Sequence, residues 1–185
     1  MALSFKPLRV SAFALVASLS GLVPNAAQAC WEQAGNQYRI APQLLYAIAQ
    51  AESSLNPRAV GRNSGGSHDI GLMQVNSGHL PVLAKFGIHE RDLFDPCTNI
   101  RVGAWILAQS FARHGASWEG VGAYNAGCSK LRGAACREAR SRYAWRVYNK
   151  LTGHANATGR GRHAGRAGAP VAPHHPIIIS ARVTP

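Results

Sequence analysis

The sequence predicts a mainly α-helical domain with a short loop or β segment between two of its helices. Two stretches, residues 42–52 and 99–113, repeat apolar side chains at helical spacing. Residues 58–80, between them, are rich in Gly, Ser and Asn, a composition typical of turns with room for a small strand. One helical domain with an irregular insertion fits this pattern best.

Residues 1–29 have the features of an export signal. Lys6 and Arg9 supply a basic start, residues 13–23 an apolar core, and Ala-Gln-Ala at 27–29 a small-residue cleavage site. We expect the mature chain to begin at Cys30 and to be periplasmic or secreted. Two alternatives stay open: an uncleaved membrane anchor, disfavoured by the short apolar run, and a lipid on Cys30, disfavoured by the residues before the cleavage site.

The first predicted helix ends in an acid. Pro42 suits its first turn, and Asn-Pro at 56–57 stops the chain soon after it. Its apolar face continues into a carboxyl group, through Leu45, Ile48, Ala49 and Glu52. Burial on that face would raise the pKa of Glu52 and make it a general acid at neutral pH. The alternative is that Glu52 only ends the helix and points to water.

Three more helical stretches follow the irregular segment. The stretch 99–113 ends at His114-Gly115 and has one apolar face, formed by Ile100, Ala104, Leu107 and Phe111. Ser117 can cap a helix from Trp118 toward Tyr124, and residues 137–151 form the last helix. Its aromatic and apolar residues are Tyr143, Trp145, Val147 and Tyr148. We expect the tryptophans in these helices to be core residues.

The four cysteines are expected to form two structural disulfides, because an exported chain enters an oxidising compartment. Four cysteines allow three connectivities. We favour Cys128 with Cys136, across a short loop, and Cys30 with Cys97, which ties the mature N-terminus to a later helix. A metal site is disfavoured, since neither the cysteine nor the histidine spacing matches a zinc pattern.

Composition divides the mature chain into a domain and a tail. Residues 30–151 contain all eight acids and all four tryptophans and are long enough for one core. Residues 152–185 are mostly Gly, Ala, Pro, His and Arg, with no acid and one apolar run at 177–179. We expect this segment to be a disordered basic tail, either uncommitted or held against an anionic polymer or partner.

Three motifs in order carry a family resemblance. They are Glu52-Ser53 before Asn56-Pro57, then Gly71-Leu72-Met73-Gln74 with Asn76-Ser77, then Ala123-Tyr124-Asn125-Ala126-Gly127. Together they resemble the soluble lytic transglycosylase family, whose domain is an α+β lysozyme-like fold with the irregular segment flanking the cleft. The resemblance covers nearly all of residues 30–151. The short chain looks most like the small invasion- and conjugation-associated transglycosylases of secretion systems and pili.

The resemblance implies a reaction and a set of residues. Glu52 would protonate the bond between N-acetylmuramic acid and N-acetylglucosamine and then help the muramoyl 6-hydroxyl close a 1,6-anhydro ring. The implied substrate-binding residues are Ser53, Met73, Gln74, Asn76, Tyr124, Asn125 and Tyr143. No cofactor and no metal are implied. The implied partners are peptidoglycan glycan strands and a secretion, conjugation or pilus complex.

Three alternatives to this function remain at the sequence level. Asp69 is the next acid after Glu52 and could serve a hydrolase of the lysozyme type, although an Asp beside Ile-Gly at 70–71 often fixes a turn. A non-catalytic peptidoglycan-binding assembly protein is the second alternative, and the retained Glu52 argues against it. The formal charge of +12 suggests nucleic acid as a third. We expect no nucleic acid partner, because the chain is exported and carries no basic-aromatic recognition motif.

Overall fold

The structure is a computed structural model that describes residues 26–153. The basic start and apolar core of the predicted signal, and the predicted tail from residue 154 on, lie outside the described residues. The described part has six helices and three short strands: α1 Ala26–Tyr38, α2 Pro42–Ser53, β1 Val60–Arg62, β2 His68–Ile70, β3 Val75–Asn76, α3 Leu80–Leu83, α4 Pro96–His114, α5 Trp118–Asn125 and α6 Gly133–Leu151. The predicted class, mainly α with a small β segment, is confirmed.

The irregular segment folds into a three-stranded antiparallel sheet of order β1-β2-β3. Val60 pairs with Ile70, and Asp69 pairs with Asn76. Gly71 follows β2 with a positive φ of 75°, and a side chain there would collide with Asn99. The sheet is therefore a small hairpin layer that projects Asp69 and Asn76 from its middle.

The core is built around α2. Leu45, Ile48 and Ala49 are fully buried, which confirms the predicted apolar face. Helices α1 and α6 both pack against α2, and α5 packs between α4 and α6. A second, smaller cluster lies under the sheet and contains Ile70, Val75, Leu83, Leu93 and Val102. Glu52, one turn beyond Ile48, thus emerges from the centre of the core at its edge.

The helix boundaries differ from the expectation at a few places. Helix α4 begins at Pro96 because the Asp95 side chain accepts from Thr98 N at 2.8 Å, a cap missed in the sequence. Helix α6 begins at Gly133 rather than 137. Helix α1 was not predicted, because it is polar and buries only a narrow face that includes Trp31 and Ala34. Its stability comes from packing on α4.

Both expected disulfides form. Cys30 joins Cys97 with their Cα atoms 5.2 Å apart, and Cys128 joins Cys136 with their Cα atoms 5.7 Å apart. The first bond fastens α1 to the first turn of α4, and the second closes the loop between α5 and α6. Within residues 26–153, no helix is long and apolar enough to cross a bilayer.

One buried side chain holds the sheet onto α4. The amide nitrogen of Asn99 donates to the carbonyls of Ile70 and Leu93, both at 2.8 Å. Its oxygen accepts from Met73 N, also at 2.8 Å. Asn99 is only 1% exposed, so all three bonds lie in the interior. The turn from Gly71 to Met73 is therefore fixed from below.

Candidate active site

A polar cleft of about 430 Å³ lies between the end of α2, the sheet and α5. Its walls are formed by Glu52, Asn63, Ser67, Asp69, Gln74, Asn76, His79, Ile106, Tyr124 and Asn125. Among the described residues, Glu52 and Asp69 are the two carboxylates in these walls. A polar groove open to solvent suits a hydroxyl- and amide-rich ligand better than an apolar one.

Glu52 is half-buried in the last turn of α2. The Tyr143 hydroxyl donates to its Oε1 at 2.6 Å. Burial is the largest influence and raises the pKa of Glu52 above its usual 4.5. Hydrogen bonds from Tyr143 and Asn125 and the charge of Arg146 lower the pKa, while the charge of Asp69 raises it. The net direction is upward, as a carboxylic acid that donates a proton near neutrality requires.

The end of α2 is fixed by Ser53 and the left-handed Ser54. The Ser53 hydroxyl donates to the Leu72 carbonyl at 2.8 Å, and its oxygen accepts from Asn56 N at 3.1 Å. Ser54 has φ 55° and donates its N–H back to Gln50 O. Ser53 thus ties α2 to the turn after β2. Ser53 is next to Glu52 in the chain and is half-buried, outside the residues that line the cleft, and its contact with substrate stays a prediction.

Asp69 is held by two amides. Its Oδ1 accepts from Asn76 Nδ2 at 2.7 Å, and its Oδ2 accepts from Asn63 Nδ2 at 3.0 Å. Asn76 also donates to Ser67 Oγ and accepts from Gly78 N. These bonds link one end of the β1-β2 connection to β2 through Asn63 and the other end to β3 through Ser67. Asp69 therefore has a structural task in the hairpin while facing the cleft.

Gln74 lines the cleft from a strained backbone position. Its φ is 48°, in the left-handed region that non-glycine residues seldom adopt. The side-chain nitrogen donates to the carbonyls of Gly71 at 2.9 Å and Ala59 at 3.3 Å, which closes the turn. Its amide oxygen faces the space beside Gly61, where an added Cβ would meet it at 2.9 Å.

Tyr124 and Asn125 form the opposite wall at the end of α5. The Tyr124 hydroxyl donates to Met73 O at 2.8 Å. Burial first, and then the charges of Glu52 and Asp69, raise the pKa of Tyr124 well above its usual value, so it stays protonated as a donor. Asn125 is exposed and lies close enough to the Glu52 carboxyl to lower its pKa. Both residues therefore line the same cleft as Glu52, and their contact with substrate stays a prediction.

Two of the expected substrate contacts are wrong. Met73 is fully buried, and its side chain packs where a Cβ on Gly103 would strike its sulfur, so it belongs to the core between the sheet and α4. Tyr143 is 3% exposed, and its hydroxyl is engaged by Glu52. It contacts the acid from beneath the cleft rather than the ligand.

Several cleft residues were missed by the sequence reading. Asn63, Ser67, His79 and Ile106 line the cleft, yet they lie outside the three motifs. Burial, and then the charge of Arg113, lower the pKa of His79, which keeps this wall residue neutral at pH 7. Only the polar composition of 58–80 pointed to Asn63 and Ser67. Ile106 lies in α4, where no sequence signal separated it from core.

Comparisons with known proteins agree with this geometry. A model of the transglycosylase SLT domain matches residues 29–145. The invasion protein IagB of Salmonella typhimurium is 50% identical over 128 residues, covering 67% of this chain and 78% of IagB. Protein IpgF of Shigella flexneri is 38% identical over 130 residues, covering 69% and 83% respectively.

A solved structure has the same fold. It is an inactive mutant of the lytic transglycosylase Slt from Pseudomonas aeruginosa, in which a glutamate is replaced by glutamine. The TM-score is 0.53 and the identity 26%, over 69% of this chain. The match spans 24% of the Slt chain, so the likeness concerns one part of that larger protein.

Proposed function

The chain belongs to the transglycosylase SLT family and is a peptidoglycan lytic transglycosylase, and from this premise we propose that Glu52 is its catalytic acid and base. The proposed products carry 1,6-anhydro-N-acetylmuramic acid ends. The observation that carries the proposal is the half-buried Glu52 in the cleft wall, hydrogen-bonded by Tyr143 and with a raised pKa. In Slt, to which this chain is similar, a glutamate-to-glutamine mutant is inactive.

The first step is proton donation. Protonated Glu52 gives its proton to the oxygen that joins C1 of N-acetylmuramic acid to O4 of N-acetylglucosamine. The C1–O4 bond breaks, the leaving sugar gains a hydroxyl, and positive charge develops at C1. The Glu52 carboxylate then accepts hydrogen bonds from Tyr143 and Asn125, which stabilise its negative charge.

The second step closes the anhydro ring. The Glu52 carboxylate takes the proton of the muramoyl 6-hydroxyl as that oxygen attacks C1 from within the same sugar. An internal hydroxyl is already at high effective concentration, so no second carboxylate is needed to activate water. Glu52 ends protonated and ready for the next bond. Asp69 fits this scheme as a hairpin residue, because both of its oxygens accept from asparagine amides.

The remaining cleft residues are proposed to bind the sugars. Asn125 and Gln74 line the cleft, and their side-chain amides have hydrogen-bonding capacity for acetamido and hydroxyl groups. Asn76 shapes the same wall through its bond to Asp69. Tyr124 is half-buried, and its hydroxyl donates to Met73 O. The acid and the sugar contacts thus come from three different elements.

Mass spectrometry of the products from purified peptidoglycan tests the proposal. The exported protein is compared with Glu52→Gln and with Glu32→Gln, a matched change at an exposed acid on α1. Anhydromuramoyl ends are expected from the wild type and from Glu32→Gln, and the rate of their release should fall at least about 100-fold in Glu52→Gln.

Two other outcomes would each overturn the proposal. Reducing muramic acid ends would mean hydrolysis and would give Asp69 the role of nucleophile or stabiliser, to be checked by Asp69→Asn. Binding without any release of fragments by the wild type would indicate a peptidoglycan-binding assembly protein. Hydrolysis is tested as an alternative because Asp69 lines the same cleft as Glu52.

We further propose that residues 30–151 form the exported catalytic domain and open the cell wall locally, in the periplasm or outside the cell, for a secretion, conjugation or pilus apparatus. The support is the 50% identity to a Salmonella protein named for invasion. In a Salmonella strain lacking IagB, expression of this chain should restore invasion of cultured cells, while Glu52→Gln should not. Equal rescue by both proteins would mean that the role in invasion does not depend on the enzymatic activity of Glu52.

A further inference from the structure

Three arginines lie close together on α6, and they have different surroundings. Arg140 and Arg142 form ion pairs with Glu119 and Glu138, at 2.7 and 2.6 Å. Arg146 is exposed, and among the described residues it has no carboxylate within ion-pair distance. Its guanidinium carbon lies 5.0 Å from the centroid of the Tyr143 ring, a cation–π contact one turn along the helix.

That ring leads directly to the proposed acid. The Tyr143 hydroxyl donates to Glu52 at 2.6 Å, so Arg146 and Glu52 contact the same side chain. The ring of Tyr143 also stacks with Tyr124, with centroids 6.4 Å apart and planes 23° apart. Tyr124 is in turn fixed by its bond to Met73 O. Arg146 is therefore the solvent end of an aromatic chain that reaches the cleft.

The charges that face Glu52 come from two elements. Arg146 on α6 lowers the pKa of Glu52, and Asp69 on β2 raises it. The neutral groups on the carboxyl are Tyr143 from α6 and Asn125 from α5. Burial, the largest influence, favours the protonated form and so opposes the loss of the proton. Once the proton has moved to the leaving oxygen, a cation close to Glu52 stabilises its carboxylate and offsets part of the cost of burying that charge.

We propose that Arg146 is a positioning residue for the transglycosylase reaction, holding the Tyr143 ring against Glu52 and stabilising the carboxylate that forms after proton donation. The inference rests on the proposed role of Glu52. It assigns a task to a residue outside the three motifs. Arg146 acts through Tyr143 and through its charge, without touching the reacting sugar.

The test is the pH dependence of kcat/KM for release of anhydromuramoyl products. Free enzyme is active with Glu52 protonated, so activity falls at alkaline pH as Glu52 loses its proton. In Arg146→Gln the loss of the nearby cation should move this alkaline limb to higher pH and lower the maximal kcat/KM. The ratio of kcat/KM at a pH above the wild-type limb to kcat/KM at a pH below it should be about twofold or more higher in Arg146→Gln than in the wild type.

Two further variants separate a positioning role from a general one. Arg142→Gln removes the same charge from an exposed site on the same helix and should leave the limb in place. Arg146→Lys keeps the charge and should return the limb toward the wild-type position, with kcat/KM between those of the wild type and Arg146→Gln. Thermal melts of each variant show that the fold is retained.

The inference is overturned if the limb of Arg146→Gln coincides with that of the wild type, or if Arg142→Gln moves it equally. A direct titration of Glu52 by carboxyl-carbon NMR gives an independent check and should show a higher pKa in Arg146→Gln. If the wild type has no alkaline limb, or if Glu52→Gln stays active, the proposed function fails first. If activity depends on Glu52 but the alkaline limb does not move in Arg146→Gln, only the proposed role of Arg146 is ruled out.

Discussion

The hydroxyl of Tyr143 donates a hydrogen bond of 2.6 Å to the carboxyl of Glu52, across 91 residues of sequence. Tyr143 comes from the last helix and Glu52 from the end of α2, so the bond joins two elements that meet only through folding. Both side chains are largely removed from water, which strengthens the bond and fixes the direction of the carboxyl. The acid is therefore oriented by the core rather than by the cleft.

Replacing Tyr143 by Phe should slow the reaction and alter its pH dependence. The hydrogen bond from Tyr143 lowers the pKa of Glu52, so its loss raises that pKa and moves the alkaline limb of kcat/KM to higher pH. The carboxyl also loses its orientation, for which we expect about a tenfold drop at the optimum. The measurement is the pH profile of anhydromuramoyl release.

Tyr148→Phe is the matched control for this variant. Tyr148 lies on the same helix, and its ring packs against Trp118 and Trp145, with centroids 5.4 and 5.2 Å apart. Tyr148→Phe removes the same kind of hydroxyl group at a site away from Glu52, so its pH profile should match that of the wild type. An unchanged profile in Tyr143→Phe would mean that the bond to Glu52 has no part in the reaction.

Replacing Glu52 by Gln should stabilise the protein at neutral pH while removing activity. Burial raises the pKa of Glu52 in the folded state, so between about 4.5 and that raised pKa the folded state binds more protons than the unfolded state. The contribution of Glu52 to the free energy of unfolding therefore falls as pH rises through this window. Glutamine has no proton to lose and avoids the penalty.

Urea unfolding of both proteins at pH 4 and pH 7.5 measures this difference. The stability gain of Glu52→Gln should be larger at pH 7.5 than at pH 4. Glu32→Gln, at an exposed acid, provides the baseline at each pH. Equal gains at the two pH values would show that the ionised carboxylate of Glu52 carries no burial penalty.

The sequence predicted the residues that line one wall of the cleft more completely than those of the other walls. Glu52 could be predicted from helical periodicity, which is a local signal, whereas Tyr124 and Asn125 were implied by the motif that resembles the family. The role of Tyr143 as a buried partner of Glu52 could not be read this way, since it depends on how α6 crosses α2. Met73 was misplaced for a related reason: local sequence does not show whether a turn residue faces the cleft or α4.

Replacing Asn99 by Leu should destabilise the fold through the turn after β2. The variant leaves Met73 N and the carbonyls of Ile70 and Leu93 without their buried partner. Unsatisfied buried groups of this kind cost about 3 kcal/mol or more in the free energy of unfolding. Urea denaturation is the measurement, with Asn36→Leu on the exposed face of α1 as control. A loss no larger than that of the control would contradict the anchoring role of Asn99.

The two disulfides should contribute unequally to stability. Cys30–Cys97 closes a loop with a sequence separation of 67, and Cys128–Cys136 one with a separation of 8. Loop-closure entropy in the unfolded chain then predicts a loss of about 4 kcal/mol for the double alanine variant of the first and about 2.5 kcal/mol for the second. Each pair serves as the control for the other in parallel urea titrations. The reverse order would show that native packing, rather than loop length, sets their contributions.

Replacing Met73 by Leu should leave catalysis nearly unchanged. The side chain is fully buried above Gly103, so a swap of similar volume costs less than about 1.5 kcal/mol in the free energy of unfolding and alters no sugar contact. The backbone carbonyl that holds Tyr124 is retained. Met73→Ala, which removes more volume, should cost about 3 kcal/mol and still leave KM close to the wild-type value. Kinetics on peptidoglycan and thermal melts of both variants provide the test. A rise in the KM of Met73→Leu without loss of stability would show that Met73 contacts the substrate.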